Sequence, residues 1–197
     1  MLSPQFSLVQ ITGPAVTPIS LAEAKAQMRV ESSDDDAIIQ RLIASAVAFV
    51  DAQGALGKAM ITQTWGQWLS PNPGTVYLSL GPVQSVSAIK YYDVDGALQT
   101  ATLADFNVFG TPNRISVSPK SGRAWPVTQT RDDAIKIEYI IGYGSSSTSV
   151  PETVRHALMM LVAHWYDMRE TATEKQMYDL PYGFSEMIGI ERNQWYG

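Results

Sequence analysis

Residues 154–170 read VRHALMMLVAHWYDMRE, and this stretch decides the fold class. Val154, Leu158, Leu161 and Trp165 recur at steps of four, three and four, with Ala157 and Val162 beside them. That is the spacing of an amphipathic helix. Ser149 suits a cap, and Pro151 and Glu152 suit the first turn. The chain before it has a different period. From Met60 it passes through MITQTWGQWLS, GTVYLSL, PVQSVSAIKYYDVDG, ALQTATL, DFNVFG, NRISVSP and DAIKIEYIIGYG. These are short β-branched and aromatic segments bounded by Gly, Pro and Asn, the pattern of antiparallel strands. DVDG (93–96) and NPG (72–74) read as hairpin turns. Val86, Ala88 or Ile89, and Tyr91 suggest one covered face.

Helical signals also open the chain. In PISLAEAKAQMRV (18–30), Ser20 and Glu23 form a capping box and Ile19 can staple the first turn, which predicts a helix from about Leu21 to Arg29. In ESSDDDAIIQRLIASAVAFVDAQG (31–54), Ser33 or Asp34 is expected to cap, with Asp35 and Asp36 near the positive end of the helix dipole. Ile38, Ile39, Leu42, Ile43, Ala46, Phe49 and Val50 give that helix a broad apolar face, and Gly54 and Gly57 end it. The expected class is α+β: a helical bundle formed by the N- and C-terminal helices, with an antiparallel β insert between them projecting from the bundle. The predicted boundaries are 1–59 for the first helical part, 60–143 for the insert, 144–183 for the second helical part and 184–197 for a C-terminal assembly arm.

Composition narrows the function. The 197 residues are 45% hydrophobic, enough for one core or a core with a small lobe. Lys+Arg 14 against Asp+Glu 19 leaves a formal charge of −5, which argues against a large phosphate-binding surface. There is no cysteine, and so no disulfide framework or thiolate chemistry. The opening MLSPQFSLVQITGP does not read as a signal peptide, and no apolar run is long enough for a membrane span; a soluble intracellular-type protein, or part of a particle assembled inside a cell, is expected.

No catalytic, metal-binding or cofactor-binding residues are expected. His156 and His164 lie eight residues apart, about 12 Å along a helix, and lack the four-residue spacing with an intervening glutamate that a zinc protease needs. A metal-dependent hydrolase using these histidines has no nucleophile and base set behind it. The acids of SSDDDA point in three directions from a helix and are explained by capping. DVDG lacks the later acids of a calcium loop, and GYGSSS lacks the Gly-Lys-Ser/Thr of a phosphate loop. The cation-rich stretch is NRISVSPKSGRAWPVTQTR, where Arg114, Lys120, Arg123 and Arg131 make a candidate DNA- or partner-facing loop. It supports an alternative reading as a DNA-binding packaging factor.

Several of these segments in order resemble one family. The PISLAEAK…DDDAII opening, the ITQTW strand, LGPVQSVSAIKYYDVDG, and GYG…VPETVRHAL followed by LVAHWYDMRE are similar to the head–tail connector (adaptor) proteins of long-tailed bacteriophages and phage-like gene transfer agents. The resemblance covers nearly the whole chain. It implies a structural virion protein at the neck, assembled in the host cytoplasm. Its ring, commonly of twelve copies, sits beneath the portal protein, meets a tail-side stopper or tail terminator protein, and lets DNA pass without sequence-specific binding or membrane contact. Twelve copies would carry a charge of about −60, which repels phosphate from the channel wall. Within this reading Tyr166, Asp167, Arg169 and Glu170 are expected to set neighbour contacts. Phe184, Met187, Ile188, Ile190, Trp195 and Tyr196 are expected to belong to an arm ordered only against another subunit or the portal.

Overall fold

A computed structural model describes residues 7–168 and 180–192. The fold is mixed α+β, with four helices and two antiparallel sheets among the described residues. It divides into two units. Of the described residues, one takes 7–13 together with Thr62–Gly142; the other takes Pro14–Ile61 together with 143–168 and 180–192.

In the helical unit, α1 (Leu21–Met28) begins at the predicted capping box. The Ser20 hydroxyl accepts from the Glu23 N–H at 3.2 Å, and the Glu23 carboxylate accepts from the Ser20 N–H at 2.7 Å. Arg29 ends the helix in the left-handed region, at φ 56°. The next helix, α2 (Asp36–Val50), differs from expectation at its start. Asp35, not Ser33 or Asp34, is the N-cap, and no side chain caps the helix. The acids there have other partners: Ser32 bonds Asp34, Lys25 pairs with Asp36 at 2.6 Å, and the Tyr166 hydroxyl donates to Asp35 at 2.6 Å. A local bond to Asp34 and tertiary bonds to Asp35 and Asp36 thus take the carboxylates that propensity alone assigns to capping. Of the broad apolar face, Ile39, Ile43, Ala46 and Val50 are fully buried, while Phe49 stays exposed. At Gly54 a Cβ would run into the Phe49 carbonyl, so the turn after α2 needs glycine.

The third helix, α3 (Glu152–Met168), buries Val154, Ala157, Leu158, Leu161 and Val162. The fourth, α4 (Phe184–Arg192), follows Pro181 and Gly183 directly; the Phe184 N–H donates to the Pro181 carbonyl. One apolar cluster joins Ile19 to residues of all four helices, among them Ala24, Ile39, Ile43, Leu158 and Phe184.

The β unit contains eight strands: β1 (Ser7–Thr12), β2 (Gln63–Leu69), β3 (Val76–Tyr77), β4 (Val83–Tyr92), β5 (Leu98–Ala101), β6 (Phe106–Thr111), β7 (Arg114–Pro119) and β8 (Ile135–Ile141). They form a five-stranded sheet in the order β1-β2-β8-β4-β5 and a three-stranded sheet in the order β3-β7-β6. β8 reads IKIEYII and alternates strictly, with Ile135, Ile137, Tyr139 and Ile141 buried. Register shifts in β4 near Ser85 and between Val86 and Ala88 put Ile89 on the covered side opposite Ile137. DVDG is a hairpin turn between β4 and β5, tied by Asp93 to the N–H groups of Asp95 and Ala97. NPG is not a hairpin turn, because it leads from β2 into β3, which belongs to the other sheet.

Candidate functional site

Four polar anchors set the helical unit. Arg155 lies on the apolar stripe of α3 and is only 8% exposed. Its guanidinium donates to the Pro18 carbonyl at 3.2 Å, to Glu152 at 2.5 Å and to Glu23. The same Glu23 closes the α1 capping box, so one carboxylate joins a helix start to another helix. Its pKa is held below the ordinary carboxylate value, first by the Ser20 N–H and hydroxyl, then by Arg155 against a burial effect of opposite sign. Lys58, 1% exposed, donates to the Glu191 carbonyl near the C-terminus of α4, where a cation also meets the negative end of the helix dipole. Burial lowers the Lys58 pKa and the Glu191 charge opposes the shift. The Glu191 carboxylate in turn accepts from the Tyr143 hydroxyl at 3.3 Å and Thr153 at 3.4 Å.

Of the residues expected to meet neighbours, Tyr166 is half-buried, packs on the core and is bonded to Asp35; Asp167 is exposed. Arg169, Glu170, Trp195 and Tyr196 lie outside the described residues. Phe184 and Ile188 require correction. They are 1% and 4% exposed inside the chain's own core, so the arm expected to order only against a neighbour does not include them. Helical spacing of four puts both on the inner face of α4, where Phe184 also meets the Phe49 ring at 6.3 Å. Met187 packs partly against the same core, and Ile190 is exposed.

The candidate DNA-facing cations do not form an open comb. Arg123 pairs with Asp105 at 3.2 Å, Arg131 makes a two-point bond to Asp133 and lies 4.0 Å over the Tyr92 ring, and Arg114 lies over the Tyr77 ring. Lys120 is exposed. An open cleft of about 430 Å³ beside Tyr91, Asp105, Phe106 and Arg123 has its two charges paired with each other. On the five-stranded sheet, Trp68 stacks on Tyr92 at 6.0 Å, Lys136 lies over Trp68, and Lys90 and Lys136 both pair with Glu138. Burial alone would raise the Glu138 pKa, but the two lysines outweigh it and hold the carboxyl below its usual value. His156 is exposed and His164 half-buried, and no His, Asp and Glu cluster among the described residues is placed to hold a metal. Among those residues no helix is long and apolar enough to cross a membrane.

Sequence reasoning missed Arg155, Lys58 and Glu191. The available signal was a charge at a stripe position of α3, one residue after Val154 and three before Leu158. Lys58 had no such signal, since its acceptor is a backbone carbonyl.

The chain belongs to the Head completion protein family, whose pattern matches residues 17–177. No curated protein matches the sequence. The fold is similar to that of a chain from the neck of an empty gene transfer agent particle computed with C6 symmetry, with a TM-score of 0.76, 20% identity, and 94% of this chain and 95% of that one covered. It is also similar to a chain from the virion of a native gene transfer agent particle, with a TM-score of 0.72, 20% identity and 94% of each chain covered. A third likeness is to a chain from the neck of a native particle computed with C12 symmetry, with a TM-score of 0.68, 18% identity and 94% of each chain covered.

Proposed function

We propose that this chain is a structural, non-enzymatic component of the neck of a phage-like particle. Copies form a ring, twelve in number, beneath the portal protein and around the DNA channel, and offer the seat for a tail-side stopper or tail terminator protein. Helices on either side of Thr62–Gly142 make the bundle of each subunit, and the β unit combines that stretch with the strand that precedes the first helix. The observation that carries this reading is the family match over residues 17–177, joined to a fold shared along 94% of the chain with a gene transfer agent neck chain. The charge of −5 fits a channel wall that does not hold DNA, and the C12 symmetry of a similar neck supports the copy number.

The test is removal of the chain from particle-producing cells. DNA-filled heads without tails, restored to tailed particles by supplying the chain, are expected in electron micrographs. Normally tailed particles in its absence would refute the proposal. The alternative packaging factor predicts salt-sensitive DNA binding lost when Arg114, Lys120, Arg123 and Arg131 are neutralised together. The ion pairs of Arg123 and Arg131 and the ring contact of Arg114 favour the neck reading.

A further inference from the structure

Among the described residues the two sheets of the β unit end in four edge strands, and these differ sharply in length. β5 has four residues and β3 two, whereas β1 and β6 each have six. A sheet edge displays unpaired N–H and C=O groups, and proteins ordinarily protect it with short strands, charges, prolines or bulges. β5 and β3 are protected by being short. β1 (SLVQIT) and β6 (FNVFGT) contain no charged residue and no proline. A register shift touches β1 only between Gln10 and Thr12, which leaves Ser7–Gln10 regular. Five of the six residues in each strand are exposed, including Val9, Ile11, Val108 and Phe109, the last 79% exposed.

β6 is also held stiffly. The carbonyl of Pro112 in its hairpin turn accepts from the Val83 N–H at 2.7 Å, and the Ser116 hydroxyl donates to the Phe109 carbonyl at 3.0 Å. Gly110 stands at φ +135°, where a Cβ would collide with the Arg114 carbonyl, so the sequence keeps glycine next to the most exposed edge aromatic. A rigid, neutral, apolar edge is suited to receive another strand, because little ordering entropy is lost when it does.

Resting on the ring reading above, we infer that β1 of one copy pairs with β6 of the next, so that strand addition joins successive subunits. The two edges match in length and in lack of charge. Chains that each carry −5 repel one another in general, and neutral edges let two copies approach without that local penalty. β1 and β6 are different edges of the chain, so the contact is head-to-tail, the kind of contact that forms a ring when the rotation between copies closes.

The chain has no cysteine, so introduced thiols are unique. Particles carrying V9C together with N107C are treated with a bis-maleimide spanning about 10 Å, a reach that tolerates a slip of one or two residues at about 3.4 Å each. A ladder of covalent oligomers beyond the dimer is expected from the double variant, and only monomer from V9C or N107C alone. The pair S7C with T111C repeats the test at exposed strand ends if the first pair does not give tailed particles. Necks that retain the ring but yield no ladder overturn the inference. So do dimers from N107C alone, which would mean β6 meets β6, or a single-variant adduct with a different protein. Particles whose necks hold no ring of this chain refute the ring reading itself.

Discussion

The longest side-chain hydrogen bonds of the helical unit span more than twice as much sequence as those of the β unit. Arg155 to Glu23, Lys58 to Glu191 and Tyr166 to Asp35 span 132, 133 and 131 residues. In the β unit, Gln10 to Gln63, Gln84 to Gly142 and Trp125 to Gly74 span 53, 58 and 51. The difference follows from how each unit is specified. Strand ladders fix register residue by residue, and a slip of one position would turn every buried side chain outward. Helices packed through an apolar stripe can slide or rotate at small cost, so fixed hydrogen-bond partners settle which packing is adopted. The helical unit therefore carries buried charge where the β unit carries backbone pairing.

The comparison can be broken in order of expected effect. Leu158→Ala empties a fully buried site shared by the helices and should cost about 3 kcal/mol in denaturant unfolding. Arg155→Met keeps the bulk but strips the Pro18 carbonyl and Glu23 of their partner, and a loss of about 2 kcal/mol is expected. In hydrogen exchange the loss of protection should concentrate in 14–61 and 143–168. Protection lost equally from β8 would mean that Arg155 is no special anchor of the helical unit. Gly110→Ala tests the β unit in return, and should cost about 1–2 kcal/mol through the forced backbone shift at the β6–β7 hairpin. Ser20→Ala removes the α1 cap and should cost about 1 kcal/mol.

The smallest effect is a pH dependence. Glu23 has a folded pKa below its unfolded one, so its contribution is present above the unfolded value, 4.5, and is lost as pH falls through the folded value. The stability difference between the native chain and Glu23→Gln should therefore be largest near neutrality and shrink in acid. A difference independent of pH would remove Glu23 from the electrostatic part of the anchor.

Local chemistry was legible and distant pairing was not. The Ser20–Glu23 box is a four-residue pattern whose two bonds form wherever the helix forms, and both are present. DAIKIEYIIGYG was legible as a strand because its β-branched and aromatic residues suit the middle of a sheet, where β8 lies between β2 and β4. The N-terminal strand escaped notice because β1 is an edge whose apolar residues, Val9 and Ile11, point to solvent, so burial left no pattern to read. NPG looked like a hairpin because its residues favour turns, while the partner of β3 lies about forty residues further on, in β7. α4 was obscured by Pro181 and Gly183, which break a helical period yet form the turn that starts the helix. The candidate site divided in the same way. Exposed Ile190 and the cation stretch were visible as residue types, but the partners that occupy Arg123, Arg131 and Tyr166 depend on the fold.

The helical unit is assembled from two pieces of chain, and this sets a schedule for its synthesis. Pro14–Ile61 leaves the ribosome with its apolar stripe uncovered, and the whole of Thr62–Gly142 must be translated before α3 arrives. At about 5–20 residues per second that delay is on the order of ten seconds. During it the β unit can complete its own ladders, while α1 and α2 wait as a nascent, greasy intermediate whose exposure a holding chaperone would shorten.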